Sequence, residues 1–247
     1  METTMNSTFV IGDVHGHLRE LKLLLDKSGA TREDEIIQLG DLGHYGRETT
    51  HDDLQTWLFA IEQNITVLYG NHEAATASLS HRFRGYAEPH PETLRAMREK
   101  RMEFAAARHG VLLTHAGMHP NWGSFSGPAT PEMVTILARL LNRSCAYWAD
   151  WSDTRDSISQ YRGGWNPAGG LLWRDAREPL ADVPQLFGHS RGSDIRVYDQ
   201  PRGRSLCIDV CDKTAEPNLV GVWLPGGRIV AVGPDADFLE RSVEEQV

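Results

Sequence analysis

Four times between Thr8 and His115 a short apolar run stops abruptly at a polar loop. Thr8-Phe9-Val10-Ile11 stops at Gly12, Glu35 to Leu39 at Gly40-Asp41, Ile65 to Leu68 at Gly70-Asn71-His72, and Val111-Leu112-Leu113-Thr114 at His115. Short apolar runs of this kind suit strands buried on both faces. Helical spacing separates them. Leu18, Leu21 and Leu25 follow the first run, and Leu54, Leu58 and Ile61 share one face after the second. Glu92 to Arg108 reads as a third helix, with Pro91 suited to its start. The strand, loop, helix repetition predicts an α/β fold with its functional groups in the crevice beyond the carboxyl ends of the strands.

The second half changes character. A helix is expected over Pro131 to Leu141, followed by the Gly-, Pro- and Trp-rich stretch from Arg162 to Gly170. From Leu186 onward the pattern is of strands: Ile195 to Tyr198, Ser205 to Val210, Val220 to Leu224 and Arg228 to Val232. Pro225-Gly226-Gly227 should turn the last two into a hairpin. A mixed α and β fold is expected, with a second, largely antiparallel sheet.

A chain of 247 residues, 40% hydrophobic and 24% charged, buries a large core. No low-complexity linker divides it, so a single domain over 1–247 is expected. Met1 to Thr8 has neither a basic start nor a signal-length apolar stretch, which predicts a cytoplasmic protein without membrane association. The cysteines Cys145, Cys207 and Cys211 form no CxxC pair; Cys207 and Cys211 are expected on one strand as buried thiols. A net charge of −9 disfavours strong nonspecific binding to nucleic-acid backbones. The arginines from Arg82 to Arg108 are interleaved with Glu88, Glu92, Glu99 and Glu103, the pattern of a solvated face.

Six segments carry the chemistry: Gly12-Asp13-Val14-His15-Gly16, Gly40-Asp41, Gly70-Asn71-His72-Glu73, His115-Ala116-Gly117, Leu172-Trp173-Arg174-Asp175 and Gly188-His189. In this order they resemble the phosphoprotein-phosphatase branch of the calcineurin-like metallophosphoesterases, with bacterial and bacteriophage-type serine/threonine phosphatases and symmetrical diadenosine tetraphosphatases as the nearest kinds. The resemblance implies two packed mixed β-sheets flanked by helices. It also implies two divalent metal ions, the first on Asp13, His15 and Asp41, the second sharing Asp41 and adding Asn71, His115 and His189.

Two cations about 3.5 to 4 Å apart can hold a hydroxide between them and clamp a phosphate in line with it. Two carboxylates offset only half the charge of two divalent ions, so such a centre attracts phosphate within an acidic protein. Calcium would use more oxygen ligands and structural zinc would use cysteine. Manganese is the expected metal, with iron or zinc as alternatives. His17, His44, His51, His81, His90, His109 and His119 default to surface or structural roles.

The implied reaction is hydrolysis of a phosphoester by the metal-bridging hydroxide. His72 is the expected acid for the leaving group, and Arg174 the expected phosphate grip, because a guanidinium fork matches two phosphate oxygens. Asn71 and His72 are also expected to face the phosphate. Arg162, followed by two glycines, is a weaker candidate. One segment departs from the family pattern Gly-Asp-x-Val-Asp-Arg-Gly: Gly40 to Gly46 keeps Asp41 but carries His44 and Tyr45 where the family has aspartate and arginine. Acid catalysis by His72 should be weaker without a carboxylate partner, which favours good leaving groups. Arg47 is a candidate for the missing charge.

The leading expectation is a phosphomonoesterase of protein-phosphatase type, with a phosphorylated substrate as its partner. A phosphodiesterase or 2′,3′-cyclic nucleotide hydrolase and a diadenosine tetraphosphate hydrolase are the enzymatic alternatives. A metal-retaining phosphate-binding module without turnover is the alternative of another class. Met118 to Thr130 and Asp150 to Gly170 should shape the pocket. Trp122, Trp165 and Trp173 are expected to pack in the core rather than stack on a base.

Overall fold

The computed structural model describes residues 7–31, 33–43, 53–76, 91–99, 102–123, 127–146, 157–210, 219–233 and 238–242. Among the sequence expectations, those on His44, Tyr45, Arg47, Arg82, Arg84, Lys100, Arg101 and Cys211 lie outside the described residues, as do 124–126 and 150–156 of the expected pocket loops.

Two mixed sheets stack face to face with helices outside them. The first contains β1 (Thr8–Ile11), β2 (Glu35–Gln38) and β3 (Thr66–Val67), parallel to one another, and β9 (Leu219–Leu224), β10 (Arg228–Val232) and β11 (Phe238–Ser242), which run antiparallel along the other side of β1. Its order is β11-β10-β9-β1-β2-β3. The second sheet has the order β4-β5-β6-β8-β7, with β4 at Ala105–Arg108, β5 at Val111–Thr114, β6 at Gln185–Phe187, β7 at Arg196–Gln200 and β8 at Gly203–Cys207. Its centre, β5-β6-β8, is parallel, and only the edges β4 and β7 are antiparallel. The second sheet is therefore mixed rather than largely antiparallel, because the last three strands extend the first sheet instead.

The period-2 alternation of strands decides the layers. Phe9 and Ile11 of β1 point into one cluster with Leu21 and Leu24 of α1 (Leu18–Ser28) and Trp57 and Ala60 of α2 (Asp53–Glu62). Val10 between them points the other way, joining Ile37, Leu113, Leu186, Leu206, Val220 and Val222 between the sheets. The outer face of the second sheet packs Ala105 and Leu112 on Val134, Leu137 and Leu141 of α5 (Pro131–Ala146). Each of the Val, Leu, Ile and Phe side chains among these contributes roughly 1.5–3 kcal/mol on burial. Among the described residues no helix is long and apolar enough to cross a membrane.

Three local expectations are corrected. The helix expected over Glu92 to Arg108 is α4 (Pro91–Glu99) alone, and Ala105–Arg108 forms β4 instead. His109 and Gly110 both adopt positive φ, 52° and 78°, the turn whose twist joins two antiparallel strands, and pairing with β5 overrides the helix preference of the three alanines. In α2 the buried face is Thr56, Trp57 and Ala60, and Leu58 is 45% exposed. The bulk of Trp57, with Ala60 three residues on, sets the contact rather than the leucines. Finally, β8 ends at Cys207, which is buried as expected. Arg95 pairs with Glu99 on a well-exposed helix surface, as the interleaved charges suggested.

A candidate dimetal site at the carboxyl ends of the strands

The loops after β1 and β2 are stitched by their own backbone. Val14 N and His15 N both donate to Asp41 O at 3.0 and 2.8 Å, and Gly16 N donates to Leu42 O at 2.8 Å. Gln38, fully buried, donates from Nε2 to Gly12 O at 3.0 Å and Gly40 O at 2.6 Å, while its Oε1 accepts from Gly40 N. Gly40 has φ 98°, and a Cβ there would lie 2.5 Å from Gly70 N, so only glycine brings the second and third loops this close. His15, Asp41 and His189 also hold positive φ, 49°, 57° and 66°. Non-glycine residues in this region concentrate at functional sites.

These loops bring the six expected ligands together. His115, at the end of β5 and fully buried, is 3.0 Å from Leu39 O through Nδ1. A carbonyl only accepts, so Nδ1 carries the proton and Nε2 presents a lone pair. That nitrogen lies 2.9 Å from Asn71 Oδ1, 3.0 Å from His189 Nδ1 and 3.6 Å from Asp41 Oδ1. Burial drives the His115 pKa down to about 3 and that of His189 well below the imidazole range, so both are neutral donors. His189 Nε2 is buried without a hydrogen-bond partner among the described residues. At the other end, His15 Nε2 is 3.8 Å from Asp13 Oδ2, and Asp13 accepts from His189 N at 3.0 Å.

Ligand atoms of His15, Asp41 and His72 lie within 4.8 Å of one another, as do those of Asp41, His115 and His189, so Asp41 is shared. The donor set is mixed carboxylate, imidazole and amide without cysteine, which fits two borderline divalent ions. Electrostatics argue the same way. Burial, then Asp209, pushes the Asp13 carboxyl well up; burial, then Glu73, does so for Asp41. Glu73 is raised by burial, and Asp209 is raised to about 6 by the same cause. Asp13 and Asp41, this deep and with further acids beside them, are stable as anions only opposite cations.

His72 stands beside this set, partly open to solvent. Its N donates to Asp41 Oδ1 at 2.9 Å and its Nε2 is 3.7 Å from Asp41 Oδ2. Its ring meets His15 edge-on at 4.9 Å.

Arg174 is elsewhere. Its guanidinium is completely buried, donating from Nε to Pro179 O at 3.1 Å, from Nη1 to Ala116 O at 3.3 Å and from Nη2 to Glu178 O at 2.6 Å, with its carbon 5.2 Å from the Phe187 ring centre. It ties loops together and does not face the ligands, so the expectation of a phosphate grip at Arg174 is corrected. The rest of that segment serves the site indirectly. Trp173 packs edge-on against His189 at 5.4 Å, and Asp175 Oδ2 holds Arg162 Nε at 2.9 Å. Arg162 Nη2 donates to His189 O at 3.1 Å and Ser190 Oγ at 2.7 Å. Arg162, not Arg174, is the guanidinium at the His189 end.

Replacing Arg174 by methionine should therefore cost roughly 2–4 kcal/mol of stability by orphaning three carbonyls, with KM changed less than about threefold. Arg162→Ala should raise KM about tenfold or more with a small stability loss. Urea denaturation and steady-state kinetics on both variants check this, and the reversed pattern would return the phosphate to Arg174.

Sequence reasoning did not single out Gln38, Glu73, Asp209 or Arg191. Glu73 had a signal, an acid directly after His72 and before two alanines in a short helical turn, α3 (Asn71–Thr76). Of the tryptophans, Trp173 is buried and Trp122 is half-buried with Nε1 donating to Gly169 O at 2.8 Å, as expected. Trp165 is 95% exposed, against expectation.

Residues 7–202 match the family model described as calcineurin-like phosphoesterase. The chain is 26% identical over 168 residues to a symmetrical bis(5′-nucleosyl)-tetraphosphatase of Cellvibrio japonicus, a match covering 58% of this chain and 61% of that enzyme. Similarity to the same-named protein of Aliivibrio fischeri is 25% over 177 residues, 63% of this chain and 64% of the relative. The chain thus spans under two thirds of the length of these relatives. Among solved structures, the fold resembles a cold-active protein-tyrosine phosphatase of a Shewanella species, with TM-score 0.60 and 14% identity over 95% of this chain and 80% of that one. It also resembles a protein serine/threonine phosphatase of Saccharomyces cerevisiae, with TM-score 0.53 and 12% identity over 97% and 80%.

Proposed function

The chain belongs to the calcineurin-like phosphoesterase family, and from that premise we propose that it is a dimetal hydrolase of dinucleoside polyphosphates, cutting a phosphoanhydride between two nucleotides. Loop 157–170 carries this reading. It is closed by Gln160 N to Asn166 O at 3.1 Å and Gly164 N to Ser159 O at 2.9 Å. One short, closed loop thereby sets Arg162 against His189 and leaves Trp165 exposed three residues on, a phosphate grip beside a stacking face. The tetraphosphatase names of the relatives support the same class of substrate.

Asp13, His15 and Asp41 would hold one ion, and Asp41, Asn71, His115 and His189 the other; manganese suits the set, as do iron and zinc. Two such ions supply a nucleophilic water at neutral pH and polarise the phosphoryl oxygens. The remaining work belongs to the protein. His115 and His189 stay neutral through burial, and Arg162 orients the phosphoryl group. His72 carries a proton toward the departing oxygen. An anhydride leaving group is a phosphate, which demands little of that acid. This suits a second motif with His44 where the family has its aspartate.

A phosphomonoesterase is the second reading, and one observation favours it: Asp41 Oδ2, 3.7 Å from His72 Nε2, gives the histidine a carboxylate neighbour that can support its protonated form. A panel run with Mn²⁺ decides between them, using phosphopeptide, 2′,3′-cyclic nucleotide, bis-aryl phosphate and diadenosine tetraphosphate. Diadenosine tetraphosphate should give the highest kcat/KM, by about tenfold or more. A higher value on phosphopeptide would establish the monoesterase. Two bound metals with no turnover on any member would identify a binding module.

A further inference from the structure

Arg191 is an arginine for which the reaction so far has no use. It follows His189-Ser190 directly, is exposed, and its Nη2 lies 3.4 Å from His15 Nε2, at the opposite end of the ligand set from Arg162. Its backbone is pinned on both sides: Ser190 N donates to Gly188 O at 2.7 Å, and Arg196 Nη1 donates to Arg191 O at 3.1 Å. Gly192 N donates to Asp209 O at 3.1 Å, which draws the loop down beside the buried acid.

The charges give this position its meaning. Asp13 and Asp41 are the carboxylates among the candidate ligands, whereas Glu73 is met by four backbone N–H groups and Asp209 faces Arg191, Arg196 and Arg162. Arg162 shares Asp175 with Arg177, at 2.9 and 2.6 Å. Arg191 makes no ion pair with a carboxylate among the described residues. It is an exposed positive group beside a candidate ligand histidine, and its charge acts on the buried Asp209 and Asp13 without a direct ion pair to either. A single phosphoryl group bound across the ions and Arg162 does not need it, whereas each further phosphoryl group adds charge that something must meet.

We propose that Arg191 forms a subsite for the phosphoryl group next to the one attacked, so that the site takes at least two anhydride-linked phosphates at once, one toward Arg162 and one toward Arg191. This rests on the dinucleoside polyphosphate reading and specifies it: the selectivity for an anhydride over a monoester resides at the His15 end. It also places there the positive charge that Tyr45 does not supply in the second motif.

Calorimetric titration of the Mn²⁺-loaded protein with methylenediphosphonate and with orthophosphate tests the subsite without turnover. Arg191→Ala should weaken the diphosphonate about 10- to 100-fold, as expected for a charge-assisted pair, and orthophosphate less than threefold. Arg191→Lys should fall between the wild type and Arg191→Ala for diphosphonate. Metal content by elemental analysis should stay at two ions in both variants. Equal weakening of both ligands, no weakening of either, or loss of a metal ion would each overturn the proposal. The two readings fail separately. Arg191-dependent diphosphonate binding without cleavage of diadenosine tetraphosphate leaves the subsite and removes the dinucleotide substrate. Cleavage with diphosphonate binding unaltered in Arg191→Ala does the reverse.

Discussion

Asp41→Asn should lose metal and turnover together, with kcat/KM falling about 10³-fold or more, equivalent to roughly 4 kcal/mol. Asp41 alone belongs to both groups of converging ligand atoms, and its Oδ1 and Oδ2 face His115 and His72 at 3.6 and 3.7 Å. Asparagine keeps the shape and an oxygen but removes the charge that offsets two cations. The thermal behaviour should cross over. In the wild type, each ion at 100 to 1,000 times its Kd contributes about 3–4 kcal/mol, so a chelator that removes both should lower Tm by roughly 12–32 °C. In the variant the chelator should have little effect. Its metal-free form should be at least as stable as the metal-free wild type, because one of four crowded buried carboxylates is gone. Elemental analysis and calorimetry read both arms. Two metal ions retained by Asp41→Asn, with activity within tenfold, would sink the assignment of Asp41 as the shared ligand.

The second large effect is expected at Glu73, where the cost falls on the fold. Its carboxylate, completely buried, accepts from Asp41 N at 2.7 Å, Leu42 N at 2.9 Å, Gly70 N at 3.0 Å and Gly43 N at 3.4 Å. It holds the second and third loops in the conformation that presents Asp41 and Asn71. Glu73→Ala orphans these donors in a closed interior, at about 1–3 kcal/mol each for the best bonded. Allowing for partial relaxation, the loss should be roughly 3–5 kcal/mol, a large part of the 5–15 kcal/mol typical of a folded protein. Glu73→Gln keeps an acceptor oxygen but turns an N–H₂ toward donors, and should lose less. Urea denaturation of metal-free protein measures this apart from ligand loss. A change within 1 kcal/mol for Glu73→Ala would mean that the loops hold their shape without it.

Much of this site was legible before the fold. Each candidate ligand sits where a short apolar run ends, and a local pattern of that kind is written in a few consecutive residues. Thr8–Ile11 into Asp13 and Val111–Thr114 into His115 are the clearest cases. The arginines were not legible in the same way. A guanidinium at the end of a long flexible stem can face solvent, a ligand or three carbonyls from the same backbone position. The segment Trp173-Arg174-Asp175 gives no local sign that Arg174 turns inward while Asp175 reaches Arg162. Ala105–Arg108 failed for a related reason: its own propensity is helical, and only pairing with β5 made it a strand.

The sequence by itself carried the chemical type of the proposed centre, its six candidate ligands and their order along the chain, because these follow from residue identity and the period of nearby apolar residues. The tertiary structure decided which sheet the last strands join, which helix face is buried, and that Arg162 and Arg191 rather than Arg174 stand at the ligands. It also revealed the extra acids Glu73 and Asp209 beneath them. Those outcomes depend on contacts between residues as distant as Asp13 and His189, whose burial and mutual charge exist only once the loops have closed on one another.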